Sequence, residues 1–145
     1  LLPIIPVTGR IVNLSSAAQA PVSIEALLGE AELGDMPAYA QSKLALTMWS
    51  FYLAKQLKDI AVIAVNPGSL LNTNMVKEGW GGSDNDVGIG ADILFRAALS
   101  DEFEGHSGDY YDNDSKRFAP PHPDGLDDNK SAQVVSALKS ALNSL

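Results

Sequence analysis

The ten residues from Ile60 to Ser69, IAVIAVNPGS, constrain the fold more than any other stretch. They are apolar almost without a break and then stop at Asn66-Pro67-Gly68. A strand with one wet face alternates polar and apolar side chains, whereas a strand buried on both faces does not. The run therefore predicts a central strand of a parallel sheet, closed by a turn. Such a strand needs parallel neighbours, and helices to cover both faces of the sheet.

The rest of the chain supplies those parts. GRIVNLSS, Gly9 to Ser16, starts at a turn glycine, carries near-continuous apolar residues at Ile11, Val12 and Leu14, and reads as a second buried parallel strand ending in two serines. SIEALLGEAEL has an N-cap candidate at Ser23 and room for one or two helical turns before Gly29 and Gly34 interrupt it. From about Ala38 to Leu57 the pattern is helical, with Leu46, Leu53 and Leu57 on one face, Leu44, Met48 and Phe51 on another, and Trp49 with Tyr52 on a third. A helix apolar on so many sides is buried on more than one, so one face can cover the sheet and another can meet a partner helix or subunit.

Residues 70–90 are rich in Gly, Asn and Asp and read as a long loop with room for a short helix. Ala91 to Leu99 reads as a helix, and residues 107–114, SGDYYDND, as a third strand. DSKRFAPPHPDGLD reads as irregular. Ser131 to Leu145, with apolar residues at 134, 135, 138, 142 and 145, reads as an amphipathic terminal helix. Strand and helix thus alternate three times, which implies a parallel α/β sheet. With nothing before it, the GRIVNLSS strand would form an apolar edge, an aggregation hazard.

Composition narrows the function classes. The chain has 145 residues, 46% of them hydrophobic and 19% charged, which suits one packed domain. A net charge of -8 argues against nucleic acid and against anionic membrane surfaces. The absence of cysteine excludes disulfides, thiolate catalysis and cysteine–zinc sites, and fits a cytoplasmic setting. No apolar run approaches the roughly 20 residues that span a bilayer. LLPIIPVTGR, with two prolines and no basic lead-in, does not read as a signal peptide.

In open parallel sheets ligands bind beyond the carboxyl ends of the strands. One such end here carries Ser15-Ser16 and another carries Asn66 to Ser69. Between them in sequence lies AYAQSKLALTMW, in which Tyr39 and Lys43 are four residues apart on the long helix and therefore neighbours. A free phenol has a pKa of about 10, and bringing it to about 7 takes roughly 4 kcal/mol in favour of the phenolate. One unit charge about 4 Å away, at an effective dielectric near 20, supplies roughly that. With a serine hydroxyl to hold a substrate oxygen, these groups make a proton-transfer site for an alcohol–carbonyl pair. The Tyr–Lys spacing alone arises often by chance, and its weight comes from the strand ends on either side.

That ordered set, GRIVNLSS, then YAQSK, then VIAVNPGS, resembles the short-chain dehydrogenase/reductase family, and the insert before Tyr39 together with SKLA is similar to its retinol-dehydrogenase-like branch. The resemblance implies a Rossmann-like, doubly wound parallel sheet, of which residues 1–145 match the C-terminal half, about three strands and their helices. It implies that they form the C-terminal portion of one NAD(P)-binding domain. The glycine-rich dinucleotide turn and the asparagine of the family's active site would precede Leu1, so the sequence reads as a piece of a longer or truncated enzyme. GSDNDVGIG does not replace that turn, because it does not directly follow a strand.

By the same resemblance Ser16 orients the substrate, Tyr39 is the general acid/base, and Lys43 tunes the tyrosine and holds the nicotinamide ribose. Pro67, Gly68 and Ser69 flank the nicotinamide of NAD or NADP, with Asn72 or Thr73 at its carboxamide. The loop from Leu70 to Gly90 closes over a small alcohol or carbonyl substrate, and Met75 and Trp80 either line its pocket or pin the loop to the core. A homo-oligomer through the 39–57 helix is expected. A second class of reading is a non-catalytic module that binds a partner or dimerises through the apolar stretch 44–53. His106 and His122 read as surface residues, and Asp109, Asp112 and Asp114 as a solvated strand end rather than a metal site.

Overall fold

A computed structural model describes residues 4–143; Leu145, placed in the terminal helix by its spacing, lies outside them. The sheet contains β1 (Arg10–Leu14), β2 (Ala61–Asn66), β3 (Tyr110–Asp112) and β4 (Arg117–Phe118), in that spatial order. β1, β2 and β3 are parallel, and β4 folds back antiparallel on β3. The helices are α1 (Ile24–Leu27), α2 (Asp35–Gln56), α3 (Asn74–Trp80), α4 (Val87–Leu99) and α5 (Asp128–Asn143). Among the described residues, no helix is long and apolar enough to cross a membrane.

β2 is the strand that its composition demands, with Val62 to Val65 fully buried between two helical layers. Strand alternation sends Ile63 and Val65, with Val12 of β1 and Tyr111 of β3, to one face. There they pack on Ile93 and Ala97 of α4 and on Phe103 of a following 3₁₀ turn, Asp101–Phe103. Arg10, at the start of β1, donates to the carbonyls of Ala97 (3.3 Å) and Ser100 (2.5 Å) and so ties off the end of α4.

The opposite face carries α2. Leu44, Ala45 and Met48 turn away from the sheet and pack on Val134 and Leu138 of α5 and on Val22, Ile24 and Leu27 around α1. Toward the sheet α2 presents polar residues: Thr47 meets Ser15 at 2.7 Å, and Ser50 accepts from Asn13 at 2.8 Å. Leu46, Trp49 and Leu53 occupy the remaining side, half-buried.

Both crossovers, β1 to β2 and β2 to β3, step the same way across the sheet. Their helices nevertheless cover opposite faces, so the two crossovers have opposite hands and one departs from the usual right-handed rule.

Several boundaries differ from the sequence reading. The sheet has four strands rather than three, because a two-residue strand beside a Pro-rich segment leaves no periodic signal. α2 starts at Asp35, since Pro37 fits the first helical turn, where its missing N–H costs nothing. α4 starts at Val87, capped by the Asp86 side chain at Gly88 N, and so takes in glycines that read as loop. One of them, Gly90, lets α4 come close to the loop: a Cβ there would lie 2.5 Å from Leu71 Cδ1, and the leucine side chain would have to shift. Among the described residues β1 is an edge strand, as expected.

Phe103 is fully buried, with its ring centroid 5.0 Å from that of Tyr111 and 5.3 Å from that of Phe118. Replacing it with alanine should cost about 3–5 kcal/mol in denaturant-induced unfolding.

Candidate active site

The polar seam between β1 and α2 fixes where the first turns of α2 lie. Thr47 Oγ1 donates to the Lys43 carbonyl (2.9 Å), and Ser15 Oγ lies 2.7 Å from Thr47 Oγ1 and 3.4 Å from that same carbonyl. Lys43, one turn earlier, reaches back to the end of β1 and donates from Nζ to the Leu14 carbonyl at 3.0 Å. Its ammonium stands 5.4 Å from the centroid of the Tyr39 ring. Two of its three protons are left for other partners. Tyr39 is half-buried, and among the described residues nothing hydrogen-bonds its hydroxyl.

The two serines have different work. Ser15 is buried and spends its hydroxyl on α2. Ser16 is half-exposed, and its hydroxyl accepts from Ala18 N (3.1 Å), which leaves its proton available to a ligand. The Ser16 carbonyl accepts from Gln19 Nε2 (2.9 Å) and from the Tyr110 hydroxyl (3.1 Å). Burial pushes the Tyr110 phenol well above its ordinary range, with the nearby Asp112 adding to the effect, so it stays a donor. Sequence reasoning missed Gln19, three residues beyond Ser16, and Tyr110, whose contact across 94 residues has no local signature.

The β2 end is held just as firmly. Asn66, 1% exposed, donates to Asp112 Oδ1 (2.8 Å) and Asp114 Oδ2 (2.9 Å), and accepts from Gly68 N (3.2 Å). Asp114 also accepts from Ser69 N (2.8 Å) and Ser69 Oγ (2.5 Å), and Asn113 Nδ2 donates to the Pro67 carbonyl (2.9 Å). Gly68 has φ +130°, a conformation that side chains disfavour, and Leu70 follows in the left-handed region at +50°. Asp109 and Asp114 are exposed, as a solvated strand end would be, whereas Asp112 is half-buried; the carboxylates of Asp112 and Asp114 also knit the β3–β4 turn to the end of β2. His106, read as a surface residue, stacks on Phe118 at 3.6 Å and meets Asp109 at 2.7 Å.

In the loop beyond, the Thr73 side chain caps α3 at Val76 N, and Asn72 N donates to the Asn85 carbonyl (2.9 Å). Met75 and Trp80 on α3 are both half-exposed, and neither is pinned in the core. A cavity of about 850 Å³ lies at the other end of α2, between Phe51, Tyr52, Tyr110, Pro120 and Leu126. A second, of about 550 Å³, opens beside Asn72, Lys77 and Gly82.

The fold is Rossmann-like: an α/β sheet, mostly parallel, with helices on both faces. It aligns with the crystal structure of an uncharacterized protein from Mycobacterium paratuberculosis, with a TM-score of 0.70 and 23% identity, over 97% of this chain and 52% of that one. In sequence, the chain is 32% identical over 109 residues to "Short-chain dehydrogenase chry4" of Gibberella zeae, covering 75% of this chain. The chain spans 40% of the length of that relative. No family model matches. The likeness supports kinship with the short-chain dehydrogenases and does not bear on the retinol-dehydrogenase-like branch.

Burial alone would raise the Asp112 carboxyl, but hydrogen bonds from Ser115, Asn66 and the N–H groups of Asp114 and Ser115 outweigh it and hold the group below the usual carboxylate range. Its contribution to stability is then complete above the unfolded value, near pH 4, and is lost as the pH falls through the lowered folded value. Acid titration of unfolding should show a shallower loss below about pH 4 in Asp112→Asn than in the wild type.

Proposed function

We propose that this chain carries the proton-transfer site of an NAD(P)-dependent oxidoreductase of the short-chain dehydrogenase/reductase type, interconverting an alcohol and a carbonyl. The observation that carries the reading is Lys43, which joins the end of β1 to the Tyr39 ring at the carboxyl rim of a parallel sheet. The likeness to a curated short-chain dehydrogenase supports it. In this reading residues 1–145 form the C-terminal portion of one NAD(P)-binding domain.

The residues present suit one end of a nicotinamide dinucleotide. Lys43 has spare donors, among the described residues nothing engages the Tyr39 hydroxyl, and the glycine turn at Gly68 stands at the neighbouring strand end. Among the described residues no glycine-rich turn joins a strand to a helix in the way a pyrophosphate requires. Tyr39 and Lys43 would hold the ribose, Pro67 to Ser69 would flank the nicotinamide, and Asn72 would meet the carboxamide through its side chain. Thr73 is the weaker candidate, because its hydroxyl already caps α3. When bound, the dinucleotide exchanges a hydride with the substrate carbon.

The chain's own groups handle the oxygen. Ser16 Oγ donates to the substrate oxygen and orients it. Tyr39 Oη takes the alcohol proton in oxidation and returns it in reduction. The Lys43 ammonium stabilises the negative charge that develops on the phenol oxygen, worth most where the rim is dry. Met75 and Trp80, exposed on α3, would close over the substrate as the 70–90 loop folds inward.

A binding-module reading draws on the half-buried Leu46, Trp49 and Leu53, a side of α2 through which two copies can associate. Turnover separates the two. In the intact protein, followed by nicotinamide absorbance over a panel of small alcohols and ketones, Tyr39→Phe should lower turnover at least about 100-fold without lowering Tm. Undiminished turnover in that variant contradicts the assignment.

A further inference from the structure

We propose that the segment Tyr110–Asp114 is the positioning element of the site: Tyr110 sets the Ser16 loop, and Asp114 sets the Pro67–Ser69 turn. The inference rests on the oxidoreductase reading of Ser16 and of that turn, and it assigns roles to residues that touch neither substrate nor dinucleotide.

The geometry is specific. β3 pairs with β2 in register from Ala64↔Tyr110 to Asn66↔Asp112, so its last residues run alongside the end of β2. Side chains alternate across a strand, so Tyr110 faces α2 and reaches past β2 to the exit of β1, where its hydroxyl meets the Ser16 carbonyl at 3.1 Å. Gln19 Nε2 donates to the same carbonyl, and Gln19 Oε1 accepts from His122 N (3.0 Å), which anchors the loop from a third segment. The carbonyl is thus held by two donors, and the Ser16 hydroxyl, turned toward Ala18 N, keeps its proton for a ligand. Removing the Tyr110 hydroxyl leaves the ring in place and frees half of that clamp.

Two residues beyond the strand, Asp114 uses both carboxylate oxygens on the other loop. Oδ1 accepts from Ser69 N, and Oδ2 from Ser69 Oγ and Asn66 Nδ2. The turn it grips carries a backbone cost at Leu70, φ +50°, two residues after Gly68, whose φ of +130° suits glycine alone. Strained backbone persists only where its surroundings hold it. Ser69 lies between the two, and its amide and hydroxyl are both spent on Asp114. The same turn is the footing of the 70–90 loop, because Asn85 Nδ2 donates to the Ser69 carbonyl (3.0 Å). One short stretch of chain therefore sets the spacing between the substrate-orienting serine and the nicotinamide-flanking turn.

The two halves of this element predict separable defects. In the intact protein, Asp114→Ala should weaken binding of NAD or NADP, whichever the wild type binds, by about tenfold. Its kcat should change by less than about threefold, and amide hydrogen exchange at Ser69 should accelerate. Asp114→Asn, which keeps one acceptor oxygen, should fall between. Tyr110→Phe should lower kcat about tenfold at unchanged dinucleotide affinity, with faster exchange over residues 16–19. Unaltered exchange at both loops overturns the inference. So does an equal loss of both parameters in each variant, which is what a general loosening of the fold produces. Amide exchange needs no cofactor, so it judges positioning even if turnover in Tyr39→Phe were to sink the oxidoreductase reading.

Discussion

The hydrogen-bonded seam between β1 and α2 is the contact on which the rest of the site depends. Ser15 with Thr47 and Asn13 with Ser50 are polar pairs in a layer where apolar packing would be the ordinary solution. A buried donor or acceptor left without its partner costs about 1–3 kcal/mol, so the pairs are satisfied only together and in one register. Sliding α2 by one residue would rotate it by roughly 100° and lose both. Apolar side chains tolerate such slips far better. The seam therefore locks the helix at the one setting in which Lys43 reaches the Leu14 carbonyl.

The site is then an intersection of three chain segments. The exit of β1 brings Ser16, the first turns of α2 bring Tyr39 and Lys43, and the exit of β2 brings the Pro67–Ser69 turn. Their common footing is the segment Tyr110–Asp114, whose residues hydrogen-bond to two of the three. The opposite hands of the two crossovers have a consequence here. They send α4 to the far face of the sheet, leaving α2 alone over the serine side, while Gly90 lets α4 close against Leu71 and Pro67 from behind. An open rim of this kind suits a ligand that is laid across strand ends.

How much of this the sequence discloses follows from the range of each interaction. The apolar run of β2 and the Tyr39–Lys43 pair are local patterns, and both were legible. The serine pair was legible as a pair, but its division of labour depends on Thr47, 32 residues away. Thr47 and Ser50 themselves look neutral in a helix and give no hint that they are fully buried. Asp109 and Asp114 are exposed, as read; that Asp112 and Asp114 also grip Asn66 was not legible, because only the register of β3 on β2 puts them beside it. α3 fills the room for a short helix that the Gly- and Asn-rich loop left, but its bounds carried no signal beyond a single threonine cap. β4, two residues long, has no period to detect.

The central claim is that the seam delivers Lys43 and Tyr39 to a nicotinamide dinucleotide. Calorimetric titration of the intact protein with NAD and NADP, alongside Lys43→Met, tests it most directly. The account predicts saturable binding of at least one dinucleotide by the wild type and an affinity lower by about tenfold or more in Lys43→Met, the loss expected for charge-assisted hydrogen bonds. Equal affinity in the two proteins, or no binding of either dinucleotide by the wild type, would contradict it.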